Sequence, residues 1–138
     1  MGLVQASIQL TNSWDLENVR RGLMDKDEVR SIYVNMLVDT GSIYLCINES
    51  VCEQLGLSVQ YQKKCQTADG RVVEFDIVGP VRVKFKNREC MVDAMLLPGD
   101  CECLFGAIPM EAMDVLVSPQ RGELIVNPEH PNFAVVRI

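Results

Sequence analysis

A mainly β domain with one or two short helices is what this sequence predicts, and three observations carry the expectation. Ile32, Val34, Met36 and Val38 alternate with Ser31, Tyr33 and Asn35, the two-residue period of a strand with one buried face. The dipeptide Asp69-Gly70 stands between two β-prone arms, Val59–Thr67 and Val72–Val78, and Asp-Gly suits a turn that needs positive φ. Further short apolar runs are folded back by Asn87-Arg88 and by Pro119-Gln120-Arg121-Gly122.

The chain has 138 residues, of which 48% are apolar and 23% charged. That length and balance suit a single domain, 1–138, with a folded core. A net charge of −6 with scattered Lys and Arg argues against a nucleic-acid partner, which needs clustered positive charge. Lys63-Lys64 reads as a solvated strand face. No window approaches the roughly 18 apolar residues that span a bilayer. The start, Met1-Gly2-Leu3-Val4-Gln5, has no charged leader, and Ala6 occupies the place where myristoylation wants a hydroxyl. A soluble, cytoplasmic protein with no membrane partner is therefore expected. The six cysteines are expected to stay reduced. Cys101 and Cys103 form the one close pair and His130 is the sole histidine, so neither a metal nor a cofactor is implied.

In chain order, residues 3–10 read as a first strand. Asn12 and Ser13 cap a short helix over 14–21 that stops at Gly22. Asp25-Lys26-Asp27-Glu28 is a surface loop, and the alternating strand over 29–38 ends at Asp39. Ile43–Ile47 is a second short strand, after which Asn48 caps a helix through Leu55, with Val51 and Leu55 on one face and Gly56 at its end. The Asp-Gly hairpin follows. Its arms carry Gln60, Gln62, Lys63, Lys64 and Gln66, too polar for a core, so it should project from the body. Gly79-Pro80 breaks or bulges the run before Val81–Phe85, and Cys90–Leu97 returns. All these strands are expected to pair antiparallel. Gly106 within Leu104-Phe105-Gly106-Ala107-Ile108-Pro109 suggests a tight backbone approach, and Pro109 is suited to open a short helix over 110–113. Val115–Val117 and Leu124–Val126 form a last hairpin, and 127–131 a rigid linker. Residues 133–138, Phe-Ala-Val-Val-Arg-Ile, read as a strand with almost no polar protection. Such a strand should pair with this sheet or with another subunit.

Nucleophilic chemistry is poorly served, with one histidine, no Gly-x-Ser-x-Gly elbow and no Gly-rich phosphate loop. Asp39-Thr40-Gly41-Ser42, directly after Met36-Leu37-Val38, places a carboxylate at a turn where backbone N–H groups and two hydroxyls surround it. One carboxylate is half of a catalytic pair. The same four residues also describe an Asp that caps its own turn.

Over residues 29–128 the order of elements resembles the retropepsin-like aspartic proteases, in particular their small single-lobed bacterial and archaeal members. The resemblance is carried by Leu37-Val38-Asp39-Thr40-Gly41-Ser42, by Leu104-Phe105-Gly106-Ala107-Ile108-Pro109, and by Met113–Val117 through Leu124–Pro128. It implies a closed acid-protease barrel and an endopeptidase active as a homodimer on peptide substrates, because this chain has a single Asp-Thr-Gly. By the same resemblance Asp39 is catalytic and Thr40 braces the paired active-site loops. Gly41 allows the close turn and supplies a donor, and Ser42 donates to the outer carboxylate oxygen. Ala68, Asp69, Gly70 and Arg71 form the tip of a flap over substrate, and Leu104, Phe105 and Gly106 lie beneath the active-site loop. Residues 1–28 are an N-terminal extension relative to viral members. Plainer readings stand beside these: an exposed hairpin, a solvated Ser42 hydroxyl, core packing at Leu104–Gly106. A non-catalytic dimerisation or peptide-binding module on the same fold is the alternative to an enzyme.

Overall fold

The computed structural model describes residues 3–138. Met1 and Gly2, on which the expectation of no lipid anchor partly rests, lie outside them. Nine strands and three short α-helices follow in the order β1 (Gln5–Asn12), α1 (Ser13–Arg20), a 3-10 turn (Lys26–Glu28), β2 (Ser31–Val38), β3 (Leu45–Ile47), α2 (Glu49–Leu55), β4 (Ser58–Gln66), β5 (Val72–Phe85), β6 (Arg88–Leu96), β7 (Leu104–Phe105), α3 (Ala107–Met113), β8 (Val115–Ser118) and β9 (Glu123–Val126). The fold is mainly β, with one helix more than the one or two expected. No helix among the described residues is long and apolar enough to cross a membrane.

Seven strands form one sheet in the order β1-β2-β7-β3-β6-β5-β4, and β1 also pairs with the far half of β5 through Gln9↔Lys84 to Asn12↔Val81. β8 and β9 form a separate hairpin. The expectation of purely antiparallel pairing is corrected: β2 runs parallel to β7, and β3 parallel to β6. Between β3 and β6 the chain passes through α2 and the β4–β5 hairpin, a crossover long enough for a parallel pair. One face of the sheet packs a core of Ile8, Leu10, Met36, Leu45, Ile47, Val78, Val81, Val83, Ala94 and Phe105, sealed by Leu55 of α2 and Met113 of α3.

Local chemistry sets the helix limits. The Asn12 side chain accepts from Trp14 N and Asp15 N to cap α1, and its Nδ2 donates to Leu55 O at 2.8 Å. The Asn48 side chain accepts from Val51 N to cap α2, which ends at Gly56 in the left-handed conformation. Buried Asp15 takes a forked pair of bonds from Arg30, both at 2.9 Å, so α1 is tied to the chain entering β2. That contact holds the Asp15 carboxyl below its ordinary range, the Arg30 hydrogen bond outweighing burial.

Four further expectations shift. β1 runs two residues later than 3–10. β3 loses Ile43 and Tyr44, because Ile43 O is taken by Ile108 N at 2.9 Å rather than by a ladder. α3 begins at Ala107 and not at Pro109, since Ala107 N and Ile108 N find acceptors outside the helix. Residues 133–138 form no strand and lie exposed.

Candidate active site

β2 delivers Asp39 to the surface between two later elements. Leu37 and Val38 lie beside Leu104 and Phe105 of β7, and β7 in turn lies against β3 through Phe105↔Leu45 and Leu104↔Cys46. The two-residue strand β7 is thus wedged between the strands that enter and leave the loop 39–44. Asp39 N donates to Phe105 O at 3.1 Å, and Ser42 N closes the turn on Asp39 O at 3.1 Å. Asp39 itself is half-buried, with Thr40 and Gly41 exposed beside it.

Gly41 N donates to Asp39 Oδ1 at 3.0 Å, the one hydrogen bond made to this carboxylate among the described residues. A Cβ at Gly41 would stand 3.3 Å from the same oxygen, so glycine keeps the approach open. The bond expected from Ser42 to the outer oxygen is not made in the single chain. The Cys46 thiol donates to Tyr44 O at 3.8 Å, and burial pushes its pKa up, with Ser42 lowering it in part.

Beneath the loop, Gly106 passes so close that a Cβ there would lie 2.4 Å from Tyr44 O and 2.7 Å from Ser42 O. The next two N–H groups, Ala107 N and Ile108 N, donate to Ser42 O at 2.8 Å and Ile43 O at 2.9 Å. These are the first donors of α3, which have no acceptor within their own helix. The helix start and the loop 39–44 therefore satisfy one another.

The β4–β5 hairpin projects as expected, with every β4 residue exposed except half-buried Cys65. At its tip Gly70 has φ 86°, and Asp69 accepts from Arg71 Nε at 2.8 Å, from Arg71 N at 3.2 Å and from the Thr67 hydroxyl. The Thr67 hydroxyl first, then Arg71, hold the Asp69 carboxyl below its ordinary range. The hydrogen bonds of Ala68–Arg71 stay within the hairpin. Its contact with the active-site loop is made lower down, where Lys63 Nζ sits 4.9 Å from the Tyr44 ring centroid.

Sequence reasoning missed that contact and the surface it covers. Cys46, Met95 and Ile77 are register partners across β3, β6 and β5 and form a second, smaller apolar cluster. Tyr44, Cys65, Phe75, Leu97 and Leu104 pack against it. The two-residue alternation of Phe75 and Ile77 was the available signal. A cavity of about 720 Å³ is lined by Thr40, by Ile108 and Met110 of α3, and by Val135, Val136 and Arg137.

A family model described as "gag-polyprotein putative aspartyl protease" matches residues 28–111, more than half of the chain and all of the Asp39 and Gly106 machinery. The chain belongs to that family, the retropepsin-like aspartic proteases. Among solved structures, the retroviral protease-like domain of Ddi1 from Leishmania major superposes with a TM-score of 0.54 at 12% identity, covering 92% of this chain and 91% of that one. EIAV protease in complex with the inhibitor HBY-793 gives a TM-score of 0.45 at 17% identity, covering 76% of this chain and 82% of that one. At such identities the Ddi1 domain shows a shared retropepsin-like fold and nothing finer. No curated protein matches the chain. The family match ends at residue 111, so the β8–β9 hairpin and everything after it lie outside it.

Proposed function

We propose that this retropepsin-like chain is an aspartic endopeptidase that hydrolyses peptide bonds as a homodimer. The observation that carries the reading is the Asp39 carboxylate, half-buried at the end of β2, fed by Gly41 N and held on a loop braced from below by Gly106, Ala107 and Ile108. A hydrolytic dyad needs two such acids, and the sequence holds one Asp-Thr-Gly. A two-fold pair of chains supplies the second.

Two carboxylates brought within a few ångströms share one proton. The ionised member takes a proton from a water between them, that water attacks the peptide carbonyl, and the protonated member stabilises the oxyanion. Thr40, exposed next to Asp39, braces the partner loop. In the paired state Ser42 donates to the outer carboxylate oxygen. The Ala68–Arg71 tip closes over an extended peptide, with the Tyr44, Cys46 and Leu104 surface beneath.

The remaining parts of the reading follow from the same frame. The β1–β5 pairing supports a closed barrel, residues 1–138 form one domain with 1–28 as an extension that contributes β1, and the enzyme works in the cytoplasm without metal or cofactor.

Replacing Asp39 tests the chemistry. Asp39→Asn should lower cleavage of a denatured protein substrate by about a thousandfold or more, with the sedimentation coefficient of the dimer unchanged. Undiminished cleavage would overturn the assignment. Peptide binding by the unaltered chain without any cleavage would favour the non-catalytic module.

A further inference from the structure

The two faces of the β4–β5 hairpin carry different charges. Partners across an antiparallel pair share a face, so Tyr61, Lys63 and Cys65 lie with Ile77, Phe75 and Val73. This face turns toward the active-site loop. Cys65 and Phe75 pack on the small cluster of Cys46, Ile77 and Met95, as do Tyr44 and Leu104, and Lys63 Nζ stands 4.9 Å from the Tyr44 ring centroid.

The carboxylates of the hairpin lie elsewhere. Glu74 is the partner of Lys64, and Asp76 that of Gln62, whose Nε2 donates to Asp76 Oδ1 at 3.0 Å. Both acids are therefore on the opposite face. Asp69 at the tip is taken by Arg71 Nε at 2.8 Å and by the Thr67 hydroxyl. Lys63 and Lys64, adjacent in the chain, thus differ: Lys64 sits across from an acid, and Lys63 does not. Among the described residues Lys63 joins no ion pair. The ionisable groups that bear on it are Tyr44, Tyr61 and Cys65, with the Tyr44 hydroxyl first in raising its pKa. In a chain of net charge −6, the underside of the hairpin presents one cation and no carboxylate.

On the reading above, an extended peptide lies between this underside and the Asp39 loop. Its successive side chains point to opposite sides, so alternate ones meet the hairpin. There Tyr44, Phe75 and Leu104 offer apolar surface, and Lys63 offers a charge. We propose that Lys63 is a specificity-determining residue, which selects peptides carrying a glutamate or aspartate side chain close to the bond that is cut. Tyr44 is its positioning residue, holding the ammonium over the cleft by a cation–π contact. The peptide carboxylate accepts a charge-assisted hydrogen bond from Lys63 Nζ, stronger than the one that a neutral amide side chain can accept. Neither residue takes part in breaking the bond. The inference rests on the peptide-cleft reading of the Asp39 site.

Peptides that differ only in Glu or Gln at each position flanking the cut test it. The parent chain should cleave one Glu peptide with kcat/KM about tenfold above its Gln counterpart. The difference should lie in KM and shrink as salt is raised, as it does for a charge pair open to solvent. Lys63→Gln should abolish the preference. Lys63→Glu should reverse it in favour of Lys at the same position, an outcome that a merely damaged fold cannot produce. A binding measurement stands beside cleavage: fluorescence anisotropy with the Asp39→Asn chain should show the labelled Glu peptide bound about tenfold more tightly than the Gln peptide.

Equal cleavage of the two peptides by the parent, or a preference for Glu that persists in Lys63→Gln, overturns the role of Lys63 and leaves the protease reading intact. Absence of cleavage by the parent, with the Glu peptide still preferred in binding, overturns the protease reading and leaves Lys63 as the acid-selecting residue of a peptide-binding cleft. Equal binding of the two peptides overturns the inference whether or not the chain cleaves.

Discussion

At the scale of single residues, the two glycines around the active-site loop differ in what they permit. Gly41 spares the Asp39 carboxylate a contact of 3.3 Å, whereas Gly106 spares a backbone collision of 2.4 Å with Tyr44 O. Neither has positive φ, so the requirement is space and not handedness. Backbone cannot rotate away as a side chain can, and Gly106→Ala must move β7 or the loop above it. Such overpacking is expected to cost about 1–3 kcal/mol, measurable as a lower urea midpoint. The Ala107 and Ile108 amides should lose exchange protection in the same variant, because their acceptors sit on the displaced loop. Parental stability and protection in Gly106→Ala would show that the close approach does not hold the loop.

At the scale of elements, the caps are also ties between distant parts. Asn12 ends β1, accepts two backbone N–H groups of α1 and donates to the end of α2 at Leu55 O. Asn48 starts α2, accepts from Val51 N and donates to Cys101 O in the loop before β7. Asn12 is buried and Asn48 is half-exposed. Its removal strands a buried carbonyl beside the lost cap, so Asn12→Ala is expected to cost about 2 kcal/mol and Asn48→Ala about 1 kcal/mol. Equal urea midpoints for the two variants would contradict that ordering. The 104–113 element shows the same economy. A two-residue strand, a glycine and a short helix together hold both ends of the Asp39 loop.

At the scale of the whole molecule, the bonds that Asp114 accepts from Asn127, His130 and Val135 make stability depend on acid. The carboxyl is held down to about 2 from an ordinary 3.8, first by the Val135 amide, then by Asn127 and His130. A folded-state pKa below the unfolded one means that the unfolded chain binds the proton more readily. The contribution is therefore complete above about pH 4 and is lost as pH falls toward 2. Urea midpoints of the parent and of Asp114→Asn should differ at pH 5 and converge near pH 2. A constant gap across that range would place the stabilisation elsewhere.

Much of this molecule was legible in the chain. Two-residue alternation marked β2, Asp-Gly marked the projecting hairpin, Asn48 and Gly56 marked the limits of α2, and Asp-Thr-Gly-Ser after an apolar run marked the site. Each of these signals is local, set by side-chain period or by the φ a turn requires. The parallel pairings of β2 with β7 and β3 with β6 were not legible, since register between strands far apart in sequence depends on how the whole sheet curls. The Lys63 contact with Tyr44 and the convergence of Asn127, His130 and Val135 on Asp114 were hidden for the same reason. The sequence by itself determined a β domain carrying one turn-borne aspartate of a recognisable family. Only the tertiary structure decided what braces that aspartate and where the apolar residues 133–138 are held, because hydrogen bonds between remote segments exist only after the chain has closed.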